Sequence, residues 1–169
     1  MDTREYVQRQ FASVRNVSDA VIRDLTNEQL NWAPPGTANP IGTTLVHAIM
    51  GEDSFVQRII QGRSLVWDTG HWSERTGLKA LPGRGTSWEE SNSTKLSLAD
   101  LLAYQREVRS ATDVYVAGLT SEELQRRVTV GGADRRVAEA LALVVTHTAH
   151  HMGEISVLKG IQGARGLPY

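Results

Sequence analysis

The sequence predicts an all-α protein, a four-helix bundle with a long crossover connection. Four stretches carry apolar residues at the spacing of one helix face, and several of them open on a capping signal. One long aperiodic stretch, Gly62 to Lys95, separates the second helix from the third. A chain of 169 residues, 40% of them hydrophobic, suffices for one globular domain over residues 1–169 with a real core.

Val7, Phe11, Val14, Val21 and Leu25 alternate with charged residues and predict an amphipathic first helix from Thr3 to Leu25. Thr26-Asn27-Glu28-Gln29 matches a capping box and starts a short helical turn, which Pro34-Pro35-Gly36 ends. Asn39 before Pro40 predicts the next start, a capping residue followed by proline at the first helical position. This second helix runs to Gln61, with Ile41, Leu45, Ala48, Ile49, Val56, Ile59 and Ile60 as its buried stripe. His47 shares a face with Met50, Gly51 and Ser54. Periodicity allows two placements for it, turned into the core or exposed at the edge of the stripe.

A long connection without regular structure is either functional or disordered. Trp67, Trp72 and Trp88 lie in this one and argue for order. The crossover is expected to cover one end of the bundle, its tryptophans either walling a pocket or anchoring the loop. His71, between Gly70 and Trp72, reads as a surface histidine.

Ser97-Leu98-Ala99-Asp100 opens the third helix, which Leu101, Tyr104, Val108, Ala111, Tyr115 and Leu119 carry to about Gly118. Leu119-Thr-Ser-Glu-Glu-Leu124 then echoes Leu25-Thr-Asn-Glu-Gln-Leu30, each after a long helix. Val128 to Asp134, with Gly131-Gly132 at its centre, predicts a small hairpin or an extended turn. The last helix runs from Arg136 to Gln162.

That last helix carries His147, His150 and His151. Residues four apart project side by side, so His147 and His151 can grip one metal ion. At ~100° per residue, Ala140, Val144, Glu154 and Leu158 lie within about 40° of the centre of that pair, and His150 roughly 80° away. The pair therefore points inward. Two buried imidazoles without partners cost roughly 1–3 kcal/mol each, and a metal that takes a nitrogen from each removes much of that cost. A hydrogen-bonded packing pair fits the spacing equally, and a third ligand decides between them. If the second and fourth helices face each other, His47 meets His147 and His151. Three neutral imidazoles leave a divalent ion its charge and an open position, the arrangement of a catalytic metal. Glu154 is placed to accept a hydrogen bond from a ligand imidazole, to cap a neighbouring helix, or to reach solvent.

Other chemistries are excluded by spelling. Thr148 follows His147 where a zinc peptidase needs glutamate, and none of the 5 histidines has a glutamate three residues before it, as di-iron bundles require. The absence of cysteine removes disulfides, thiolate ligands and a cysteine nucleophile, so a reactive thiol must arrive with a substrate. A net charge of -1 with scattered basic residues leaves no nucleic-acid footprint and no attraction to membranes. The uncharged run Ala140 to Gly153 is too short to span a bilayer and contains the histidine cluster. The charges in residues 1–5 do not suit an export signal, and a cytoplasmic location is expected.

Taken together, the leading amphipathic helix, Leu25 to Leu30 before a proline-rich turn, a histidine midway in the second helix, and His147-x-x-x-His151 followed by Gly153-Glu154-Ile155 resemble the DinB-like family. These damage-inducible metalloenzymes include thiol-dependent S-transferases and maleylpyruvate isomerase-type proteins. The resemblance implies a four-helix bundle holding zinc or nickel at the positions of His47, His147 and His151, and frequent homodimers; faces of the first and third helices are the interface expected here. His150 falls outside that ligand pattern and reads as a neighbour or supporting group. The function expected is a metal-dependent enzyme that transfers a low-molecular-weight thiol to a small-molecule substrate or uses it in an isomerisation. The rival expectation is a non-catalytic stress-response or dimerisation bundle with a structural metal or none.

Overall fold

A computed structural model of the chain describes residues 2–83 and 88–167; the Arg84 to Ser87 part of the crossover and Pro168-Tyr169 lie outside it. Its framework is four long helical stretches, as the apolar periodicity predicts. The first, α1 (Thr3–Ile22), is capped by Asp2, whose side chain accepts the Glu5 backbone N–H. It ends short of the expected Leu25, because the Leu25 N–H closes a turn on the Ile22 carbonyl and the buried Lys159 ammonium takes the Val21 carbonyl at 2.7 Å. A cation at a helix carboxyl end meets carbonyls that have no helical partner.

Thr26 caps the short α2 (Asn27–Leu30) through a reciprocal capping box with Gln29. The second long helix, α3 (Ile41–Asp53), starts after Pro40, since Thr44 N–H reaches the Pro40 carbonyl at 3.0 Å. Asn39 does not cap it; its side-chain oxygen accepts from Asn92 instead. Every residue of α3 except His47 is buried, and the helix continues as a π-helical stretch, Ser54–Ile60.

The crossover contains more regular structure than its sequence predicts, namely α4 (Val66–Thr69), α5 (Trp72–Thr76) and α6 (Trp88–Ser93). Each is only four to six residues long, too short for a periodic signal to register. Trp67 and Trp72 are buried, with ring centroids 5.3 and 5.4 Å from that of Tyr104, so these two anchor the connection to the core. His71 is exposed and sits in the left-handed region at φ 51.

The third long helix, α7 (Leu98–Ala117), begins at Ser97, whose hydroxyl accepts the Asp100 N–H. Thr120 caps α8 (Ser121–Gln125) as Thr26 caps α2, so the sequence echo is a structural one. Strands β1 (Arg127–Val130) and β2 (Ala133–Arg136) pair antiparallel with Val130 opposite Ala133. Their turn is Gly131-Gly132, both at positive φ, the backbone a two-residue hairpin needs. The last helix, α9 (Val137–Ile161), packs on α1 and α3, and α7 packs against both of those. Buried residues form two clusters, one around Leu45, Trp72, Tyr104 and Ile155, the other around Phe11, Val56, Leu141 and Val144. Among the described residues, no helix is long and apolar enough to cross a membrane.

Candidate metal centre

Because α3 and α9 pack along each other, His47 is brought against His147 and His151. The Nε2 atoms of His47 and His151 each lie 3.2 Å from Nε2 of His147, and the cluster offers one ligand atom per residue, all within 4.8 Å of one another. All three side chains are half-buried. A tetrahedral ion bonded at about 2.0–2.1 Å holds its donor atoms about 3.3 Å apart, the spacing of both contacts.

Hydrogen bonding on the far side of two rings fixes which nitrogen faces the centre. Nδ1–H of His47 donates to the Pro82 carbonyl at 3.1 Å, and Nδ1–H of His151 donates to Oε2 of Glu154 at 2.7 Å. Both acceptors can only accept, so each ring turns its Nε2 lone pair toward His147. One hydrogen on Nε2 of His147 cannot serve both contacts. Placing it there also leaves Nδ1 of His147, buried and without a partner, as an orphaned acceptor. Three converging lone pairs with no proton to share are a poor packing arrangement and a good ligand set.

Burial lowers the pKa of His147 to about 4, reinforced by the neighbouring His151 and His47. Burial also lowers that of His47, partly offset by its bond to Pro82. Both imidazoles are therefore neutral at pH 7 and ready as donors. The triad could hold a metal ion.

The remaining sequence candidates divide. Glu154 touches a triad ring while keeping an exposed side chain. His150 is exposed, makes no hydrogen bond to the triad, and acts on His147 only through its charge. His71 is exposed and is not one of the clustered residues. The sequence gives no sign of two groups the crossover contributes, the Pro82 carbonyl and Gly83, whose backbone lies against His47; the third is Trp88, whose ring centroid is 5.0 Å from that of His47. The tryptophan content of the crossover was the available signal. Trp88 walls the site, whereas Trp67 and Trp72 anchor the loop, so both expected roles occur.

A solved structure of a conserved protein from Enterococcus faecalis aligns with a TM-score of 0.81 at 14% identity, covering 96% of this chain and 99% of that one. A DinB-like protein from Bacillus subtilis aligns at TM-score 0.66 and 19% identity over 97% of this chain and 96% of its own. Another, from Bacillus cereus, gives 0.68 and 16% over 98% and 96%. These likenesses establish the fold. No curated protein matches the chain. Residues 10–155, nearly all of the helical framework and the whole histidine cluster, match the DinB superfamily model, and the chain belongs to that superfamily.

Proposed function

We propose that the protein is a metal-dependent enzyme that joins a low-molecular-weight thiol to an electrophilic small molecule or uses the thiol to isomerise one. The supporting observation is the convergence of three Nε2 atoms whose hydrogen-bond demands no proton arrangement can meet. His47, His147 and His151 are the proposed ligands of a divalent ion, zinc or nickel. Such an ion supplies a Lewis acid that favours the deprotonated form of a thiol near neutral pH.

The rest of the chemistry falls to the chain. Pro82 and Glu154 hold two of the rings, and the half-buried His147 stays neutral. With no cysteine in the chain, the sulfur belongs to a cosubstrate. In a transfer, its lone pair forms the new carbon–sulfur bond, the leaving group departs with its electron pair, and the thiol proton goes to solvent. A groove of about 410 Å³ between the start of α3 and α9, lined by Thr37, Asn39, Thr44, Glu154 and Val157, has room for a small substrate and meets the triad through Glu154, which bonds His151.

Elemental analysis of protein purified without a nickel column, followed by a screen of thiols against electrophiles, tests the reading. The expected result is one ion per chain and a thiol-dependent turnover lost in His147→Ala. Metal-loaded protein without any thiol-dependent reaction favours the non-catalytic bundle. We also propose a homodimer through α1 and α7, whose exposed Tyr6 and Val114 present apolar surface. A monomeric mass by light scattering at micromolar concentration ends that idea.

A further inference from the structure

The α3 backbone passes His147 with no side chain between them. A Cβ built on Gly51 would stand 2.5 Å from Nδ1 of His147 and 3.3 Å from its Nε2, and the three nearest atoms it would meet all belong to that ring. Carbon contacts below 3.0 Å essentially never occur, so something must shift. Gly51 itself is buried near the end of α3, where the helix runs on without a break into Ser54–Ile60, so alanine is ordinarily the better residue there. At its Nε2 edge the same ring meets His47 and His151, whose Nε2 atoms each lie 3.2 Å away and whose centroids are 5.0 and 4.4 Å from its own. A shift of the imidazole away from an added Cβ would change both of those 3.2 Å contacts.

We propose that Gly51 is a positioning residue of the metal centre: its missing side chain seats the His147 imidazole against the α3 backbone and fixes Nε2 at the point of convergence. The inference rests on the metal reading above. It also accounts for the unpaired Nδ1 of His147, since that atom faces bare helix backbone where His47 and His151 have an oxygen acceptor.

The test is a comparison of wild type, Gly51→Ala, His147→Ala, the double variant Gly51→Ala/His147→Ala, and Gly160→Ala as a control in α9 whose added Cβ meets nothing within 4 Å. Apo-protein is titrated with Zn²⁺, the visible bands of the Co²⁺-loaded protein are recorded, and apo melting temperatures are measured. Gly51→Ala is expected to weaken zinc about 10-fold or more, the size seen when groups that orient a ligand are lost. It should also shift the cobalt bands, and Gly160→Ala should do neither. It is expected to lower the apo melting temperature when His147 is present and not when His147 is alanine, a coupling that a general packing role would not produce. Wild-type zinc affinity in Gly51→Ala overturns the assignment of Gly51 and leaves the metal site standing. Failure of the wild type to bind zinc overturns the metal reading and this inference with it. If Gly51→Ala does not fold, a double variant that folds like His147→Ala supports the assignment, and one that also fails overturns it.

Discussion

Two polar clusters sit in the core on the same helix, and they treat hydrogen bonding in opposite ways. At the carboxyl end of α3, the fully buried Asp53 accepts the backbone N–H groups of Val66 and Trp67 at 3.0 Å each and the Tyr104 hydroxyl at 2.7 Å. Its carboxylate caps α4 and ties the crossover to α7. Burial still raises its pKa above the usual carboxylate value, with those three bonds pulling the other way. Six positions earlier, His47 joins two imidazoles whose facing nitrogens cannot share their protons, and the third ring has an unpaired buried nitrogen. A satisfied buried cluster explains itself as a fastening. An unsatisfied one, formed from good ligands at ligand spacing, asks for a cation.

Cutting each cluster at its centre sharpens this contrast most. His147→Ala should weaken zinc binding by at least about 100-fold, the upper end of what losing a mere supporting group costs. It should leave the helical circular dichroism unchanged; full metal occupancy after dialysis would remove His147 from the site. Asp53→Ala should do the reverse. It leaves buried donors without an acceptor and should destabilise the fold by about 2–3 kcal/mol, a fall in melting temperature of roughly 5–10 °C for a chain of this size. Zinc affinity of the folded protein should hold, and a large loss of affinity without loss of stability would show that the two clusters are not separate.

The edge of the metal cluster should give a smaller effect. Glu154→Gln keeps the shape but weakens the acceptor for Nδ1–H of His151, and zinc affinity should fall roughly 10-fold. Unchanged affinity in a titration of the apo-protein would reduce Glu154 to a surface carboxylate. The smallest effect concerns pH. Because the native pKa of Asp53 is raised from 3.8, the native state binds the proton more tightly than the unfolded state does. The stability this gives is fully present below that unfolded value and is lost as pH rises through the native one. Relative to Asp53→Asn, wild type should therefore gain stability as pH falls through the raised native value toward 3.8, read from denaturant midpoints. A difference that does not change with pH would mean that Asp53 titrates normally.

Much of this contrast was legible in the sequence, but unevenly. The inward pair His147 and His151 follows from ~100° per residue and the apolar Ala140, Val144 and Leu158 on the same face, whereas the facing of α3 and α9 was only one arrangement that a bundle allows. The long helices were readable because they repeat one apolar face over many turns. Their ends were less so: Lys159 stops α1 at Ile22 from more than a hundred residues away, and Asn39 is drawn off to Asn92 instead of capping α3. Asp53 gave no signal, since a lone carboxylate at a helix end reads as solvent-facing until the crossover brings it two N–H groups. The Pro82 carbonyl was equally invisible, being a backbone atom whose partner lies 35 residues back. Gly51 was placed on the face of His47 by periodicity, yet its contact with His147 depends on how closely α3 and α9 approach.

Anomalous scattering at the metal edge, from crystals of protein purified without a nickel column and soaked in Zn²⁺, tests the central claim most directly. The account predicts one peak per chain, about 2.0–2.1 Å from Nε2 of each of His47, His147 and His151. A triad with no peak at full soaking concentration, or a peak coordinated through other atoms, would contradict it.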